Sequence, residues 1–123
     1  MFNYTQAFSG FSVDDIHKAK AFYGELLGLK IAEEGDSLRL QFDDGTQVFV
    51  YPKGNHTPAT YTMLNFTVED IDKAVQELKD KGVEFEHYPG TDTGEDGISR
   101  AERGPKIAWF KDPAGNILSV LED

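Results

Sequence analysis

The stretch Phe11-Ser12-Val13-Asp14-Asp15-Ile16-His17-Lys18-Ala19 returns as Phe66-Thr67-Val68-Glu69-Asp70-Ile71-Asp72-Lys73-Ala74. Six of the nine positions are identical (Phe, Val, Asp, Ile, Lys and Ala), and Ser/Thr and Asp/Glu preserve the chemistry at two more. Each copy runs on to a glycine and an apolar-rich segment, Leu26-Leu27-Gly28-Leu29-Lys30-Ile31 and Leu78-Lys79-Asp80-Lys81-Gly82-Val83-Glu84-Phe85. Self-similarity of this kind marks two copies of one supersecondary unit.

Working outward, each copy reads as strand, helix and three further strands, an α+β chain of two βαβββ modules. The first strands are expected at 6–13 and 60–68. Asp14 and Asp15, like Glu69 and Asp70, place acid at a helix N-terminus, where the macrodipole favours it. Ile16, Ala19, Phe22, Tyr23, Leu26 and Leu27 form one apolar stripe at helical spacing, and Ile71, Ala74, Val75 and Leu78 form the other. Gly28 and Gly82 are placed to end the helices in the left-handed conformation. The remaining strands are expected at 30–33, 37–42 and 46–51, and again at 84–88, 106–111 and 116–121. Turns separate them at Asp43-Asp44-Gly45 and at Asp112-Pro113-Ala114-Gly115-Asn116. Residues 53–59 read as a linker between module 1–52 and module 60–123 of a single domain. Residues 89–104, with four glycines and almost no apolar residue, read as a long loop.

The 123 residues suffice for one domain with a real core, and 39% apolar and 12% aromatic content favours a packed globule. A net charge of −10 makes nucleic acid and anionic membrane surfaces poor partners. There is no cysteine, which removes disulfides, thiolate metal sites and a cysteine nucleophile. No run is long and apolar enough to span a bilayer, and Met1-Phe2-Asn3-Tyr4-Thr5-Gln6 does not resemble a signal peptide. The expectation is a soluble cytoplasmic protein.

Strand alternation divides the side chains between two faces. Phe11 and Val13, Leu38 and Leu40, Val48 and Val50, Leu64 and Phe66, and Leu118 and Val120 belong to the helix-covered faces. The opposite parity collects Phe8, Arg39, Gln47, Phe49 and Tyr51 in the first module, and Tyr61, Met63, Asn65, Trp109 and Ser119 in the second. Large aromatics mixed with amides and hydroxyls suit a surface that closes over a small ligand. Arg100 and Arg103 of the long loop are candidates to reach an anionic group on it.

Phe11-x-Val13-x-Asp15 followed by Ala21-Phe22-Tyr23-x-x-Leu26-Leu27-Gly28, together with Asp112-Pro113-Ala114-Gly115-Asn116, resembles the vicinal-oxygen-chelate superfamily of glyoxalases, bleomycin resistance proteins and extradiol dioxygenases. The resemblance covers essentially the whole chain. It implies paired βαβββ modules whose curved sheets form an open, barrel-like cleft, commonly in a homodimer. It also implies, for the family's enzymes, a divalent metal held by four His, Gln or Glu side chains on the first and last strands of each module. Counting from the motifs onto those positions reaches Phe8, Phe49, Met63 and Ser119. Phe has no lone pair, Met suits soft metals, and one hydroxyl is a feeble donor. No metal and no other cofactor is expected.

Among the histidines, His17 reads as helix surface, His56 lies in the linker, and His87 sits beside the long loop. No phosphate-binding glycine loop, nucleophile elbow or His-x-x-x-His pair occurs. The leading expectation is a metal-free protein, like the bleomycin-resistance branch, that sequesters an aromatic or amphipathic compound in an apolar cleft. A divergent lyase, isomerase or dioxygenase with a relocated metal or a metal-free site (Tyr61, Arg39 or His87) is the second reading, so enzymatic activity is left open and leans to none. A dimeric interaction module without a small ligand is the third.

Overall fold

The computed structural model describes residues 1–88, 93–100 and 104–123. Its contacts group into two compact units, Met1–Thr57 and Pro58–Asp123.

In the first unit, β1 (Ser9–Val13) leads into helix α1 (Ile16–Lys20), and β2 (Lys30–Glu34), β3 (Ser37–Gln41) and β4 (Gln47–Pro52) follow. The sheet order is β1-β4-β3-β2, with β1 parallel to β4 and the other pairs antiparallel. The second unit repeats the plan. It has β5 (Thr62–Thr67), helix α2 (Ile71–Asp80), β6 (Ile98–Ser99), β7 (Lys106–Lys111) and β8 (Ile117–Glu122), in the order β5-β8-β7-β6 with β5 parallel to β8. The sequence repeat is therefore a structural repeat, and the α+β class stands.

The repeated Asp earns its place at both helix starts. Asp15 accepts from the backbone N–H of His17 (3.0 Å) and Lys18 (3.2 Å), and Asp70 accepts from that of Lys73 (3.1 Å). These bonds satisfy donors that the first helical turn cannot pair internally. At the other end Gly82 has φ +96°, its N–H donates to the Lys79 carbonyl (2.9 Å), and the Val83 N–H donates to that of Leu78 (3.0 Å). That is the closure a left-handed glycine permits. The first helix departs from the expectation of one regular helix. After Lys20 it widens into a π-helical segment, Ala21–Leu26, with the Leu27 N–H bonded to the Phe22 carbonyl at 2.9 Å. Phe22 and Tyr23 inside it are both buried, edge to face at 5.0 Å. The closing bond to Gly28's turn, Leu29 N–H to Tyr23 carbonyl at 3.0 Å, spans one residue more than its counterpart in α2.

Burial alternates along β3, β4 and β7, whereas in β8 four successive residues, Ile117 to Val120, are buried and in β5 Leu64 and Phe66 are only half-buried. Phe11, Val13, Leu38, Leu40, Val48 and Val50 are buried with Ala19, Phe22 and Tyr23. In the second unit Ala108, Phe110, Leu118 and Val120 are buried with Ile71 and Val75. The turn before β8 is built on a buried carboxylate: Asp112 Oδ1 accepts from the N–H of Ala114 (3.0 Å) and Asn116 (2.8 Å), and Oδ2 from Asn116 Nδ2 (3.0 Å).

One strand is not where the sequence places it. The run 84–88 contributes only an isolated bridge, Phe85 to Phe110, with the Glu86 N–H bonded to the Trp109 carbonyl at 2.8 Å. The remaining edge of β7 is taken by β6, drawn from the expected loop: Ile98 pairs with Ala108 and Ser99 with Ile107. Ile98 brings an apolar side chain to the core face, where it is almost fully buried, whereas Glu84 and His87 are exposed. Of the rest of that loop, 89–92 and 101–103 lie outside the described residues.

Gly97 makes this arrangement fit. It has φ +87°, and a Cβ there would stand 2.7 Å from Phe85 Cβ. Gly97→Ala adds backbone strain of about 1–2 kcal/mol to a collision, whereas Gly45 (φ +89°) has open space around it. Urea unfolding should show Gly97→Ala clearly less stable than Gly45→Ala; equal losses would contradict the close approach.

Glu122 at the end of β8 reaches back to α2, where its Oε1 accepts from the Ile71 N–H at 2.9 Å. That bond, and then Lys106, holds its carboxyl below the usual carboxylate range. The stabilisation is present above the ordinary carboxylate pKa and is lost as pH falls through the lowered value. The melting temperature of wild type should therefore exceed that of Glu122→Gln at neutral pH, and the gap should close in acid. A gap constant with pH would contradict this linkage.

Candidate functional site

In the first unit the face opposite α1 carries a row of large side chains. Gly10, Arg39 and Phe49 fall in line across β1, β3 and β4, because Gly10 pairs with Phe49 and Arg39 pairs with Phe49 from the other side. Gly10 offers no side chain there, and a Cβ would stand 3.2 Å from the Phe49 carbonyl oxygen. The Arg39 guanidinium lies over the rings of Phe8 (4.8 Å to the centroid) and Phe49 (5.5 Å). Such contacts are worth about 0.5–2 kcal/mol each, more as water is excluded. Arg39 Nε and Nη2 donate to Glu34 (2.7 and 3.4 Å), and Nη1 donates to Gln47 Oε1 (3.3 Å). Tyr51 continues the row, its ring stacked on Phe49 at 6.0 Å and 24°. Phe8, Arg39, Gln47, Phe49 and Tyr51 are thus brought together, and Glu34 joins them. Glu34 lies beyond the expected strand 30–33; β2 extends to it, and its register opposite Ser37 puts it on the face of Ala32 and Arg39.

In the second unit Trp109 and Ser119 are cross-strand partners, and Ser119 also stands opposite Asn65. Ser119 Oγ donates to Asn65 Oδ1 at 2.5 Å and is fully buried. Trp109 Nε1 donates to Thr62 Oγ1 at 3.1 Å, and the indole meets Tyr88 edge-on at 5.5 Å. Burial, and then the negative charge of Glu86, pushes the Tyr88 phenol above its ordinary pKa. Thr62 and Tyr88 were not among the expected residues. The cause for Thr62 is a register shift: Thr62 pairs with Ile117 and Leu64 with Leu118, leaving Met63 as the extra residue of a bulge. Alternation counted through a bulge fails by one, so Thr62 takes the place expected for Met63. Tyr61 lies before β5 and is 70% exposed.

Arg100 is not part of this face. It pairs with Asp72 of α2 (2.5 Å) and with Asp96 (2.8 Å), and its parity is that of the buried Ile98 on the helix side. Arg103 lies outside the described residues. Of the histidines, His17 is exposed, His56 Nδ1 is 2.6 Å from Ser12 Oγ, and His87 borders an open depression of about 580 Å3 beside the end of α2.

The chemistry available follows from these groups. Among the described residues no cluster of three or more His, Cys, Asp or Glu is placed to hold a metal ion. In the first unit Phe8 and Phe49 carry no donor atom, and in the second Met63, or Thr62 in its place, and Ser119 offer only a thioether or hydroxyls; neither pair fits a hard or borderline divalent cation. Ser119 bonds a carboxamide, which is no base, so its hydroxyl lacks the activation a nucleophile needs.

Both units share the βαβββ plan. The sequence profile of the glyoxalase/bleomycin resistance protein/dioxygenase superfamily matches residues 3–120. The chain belongs to this superfamily. It is similar to the uncharacterized protein YraH of Bacillus subtilis (strain 168), with 26% identity over 125 aligned positions that cover 89% of this chain and 91% of that protein. Among solved structures it resembles a superfamily member from Sphaerobacter thermophilus, with TM-score 0.73 and 23% identity over 98% of both chains. It also resembles lactoylglutathione lyase from Agrobacterium tumefaciens, with TM-score 0.69 and 19% identity over 98% of this chain and 95% of that one. At these identities the structural likeness speaks for the fold. No helix among the described residues is long and apolar enough to cross a membrane.

Trp109 is the sole tryptophan, so its emission reports on this face. Thr62→Val removes the acceptor of the indole N–H and should shift the emission maximum to the blue. An unchanged spectrum would mean the indole does not use Thr62.

Proposed function

We propose that this superfamily member is a small-molecule-binding protein that holds an aromatic or amphipathic ligand on the open faces of its sheets, without a metal. The observation that carries the reading is the chemistry at two of the expected metal-ligand positions: Phe8 and Phe49 have no donor atom, and their rings pack against the Arg39 guanidinium. In the first unit their rings and Tyr51 supply stacking surface and Gln47 a polar group; in the second Trp109 supplies the ring and Asn65 and Ser119 the polar groups. The same residues weigh against catalysis, because the Ser119 hydroxyl is spent on the Asn65 carboxamide, which cannot act as a base. A homodimer belongs to this proposal. Met1, Phe2 and Tyr4 leave large apolar side chains exposed, as a surface awaiting a partner does.

Elemental analysis of purified, untagged protein after dialysis should find no stoichiometric divalent metal, and flat aromatic compounds should alter Trp109 emission. One retained equivalent of nickel, zinc, iron or manganese would overturn the metal-free reading. Emission unmoved by a panel of such compounds would favour an interaction module instead.

A further inference from the structure

Resting on that reading of the first sheet as a ligand surface, we propose that it selects a flat aromatic compound bearing a carboxylate, which takes Arg39 by displacing Glu34. Three features of Arg39 point to this. Its side chain is only 20% exposed, while that of its partner Glu34 is 47% exposed, so the cation is fixed in the sheet and its counter-ion is at the rim. The Arg39 guanidinium carbon lies over the rings of Phe8 and Phe49, which fix the cation while its N–H groups make hydrogen bonds. Glu34 occupies the Nε–Nη2 edge unevenly, at 2.7 and 3.4 Å, and Gln47 takes one N–H of Nη1 at 3.3 Å. These three bonds leave further N–H groups of the fork for an incoming acceptor.

The neighbours fit the rest of such a ligand. Opposite Arg39 in β2 stands Ala32, a small side chain. Phe49 and Tyr51 form a stacked floor beside the cation, on which an aromatic ring continues the row. A carboxylate and a guanidinium match as a planar two-bond pair. The displaced Glu34 carboxylate is left to water at the rim, where its exposure lets solvent take over from the guanidinium. Glu34 is then a built-in competitor that fills the fork until the ligand arrives.

Isothermal titration of the full chain with 2-naphthoate and with 2-naphthalenemethanol separates the outcomes. Wild type should bind the carboxylate about tenfold more tightly than the alcohol. Glu34→Gln should strengthen 2-naphthoate several-fold and leave the alcohol unchanged, and Arg39→Gln should bring the two compounds level. Arg39→Lys, which keeps the charge but not the fork, should retain only part of the preference. Equal binding of both compounds to wild type, or weaker 2-naphthoate binding by Glu34→Gln, would overturn the exchange while leaving a ligand surface in place. No binding of either compound to wild type or Glu34→Gln would overturn the ligand surface itself, and the exchange with it.

Discussion

Parallel pairing of the first strand of each unit with its last strand is the constraint on which the rest depends. β1 lies beside β4 and β5 beside β8, so the chain must leave the first strand, cross through a helix and return. The helix then has one available place, on the face where Phe11, Val13, Val48 and Val50 (or Phe66, Leu118 and Val120) bring their side chains together. Because strand side chains alternate, burying that set delivers the complementary set to the other face without further instruction. The open face is thus a by-product of core formation, and its composition is free to vary. Here that freedom has set rings and a guanidinium together on the open face of the first unit.

The caps protect this arrangement at its weakest points. Asp15 and Asp70 close the helix starts, and Gly28 and Gly82 close the ends. Asp112 gathers three donors into the turn that launches β8, and Glu122 at the end of the same strand clasps the first N–H of α2. The strand carrying Ser119 is therefore anchored at both ends by buried or half-buried carboxylates. A side chain on so firmly held a strand is well placed for recognition, which loses affinity whenever its groups must first be ordered.

The two open faces differ in character. On the first, a cation is set among rings, with a carboxylate at the rim. On the second, the polar atoms bond one another: indole to Thr62, and Ser119 to Asn65. The hydroxyl and the indole of the second face are already satisfied, whereas the guanidinium of the first keeps N–H groups beyond its three bonds.

The sequence by itself determined the repeat, the α+β class, the helix caps and the glycine exits, since these rest on local rules of spacing and backbone conformation. It also determined which side chains of β3 and β4 share a face, because alternation is reliable along an unbroken strand. Only the tertiary structure decided where alternation breaks. The bulge at Met63 exchanges it for Thr62, the edge of β7 accepts Ile98 in preference to the polar run 84–88, and Arg100 goes to Asp72 on α2. Each outcome is a competition between distant segments for one edge, one register or one counter-ion. Residues far apart in the chain enter that contest only once the sheet has formed.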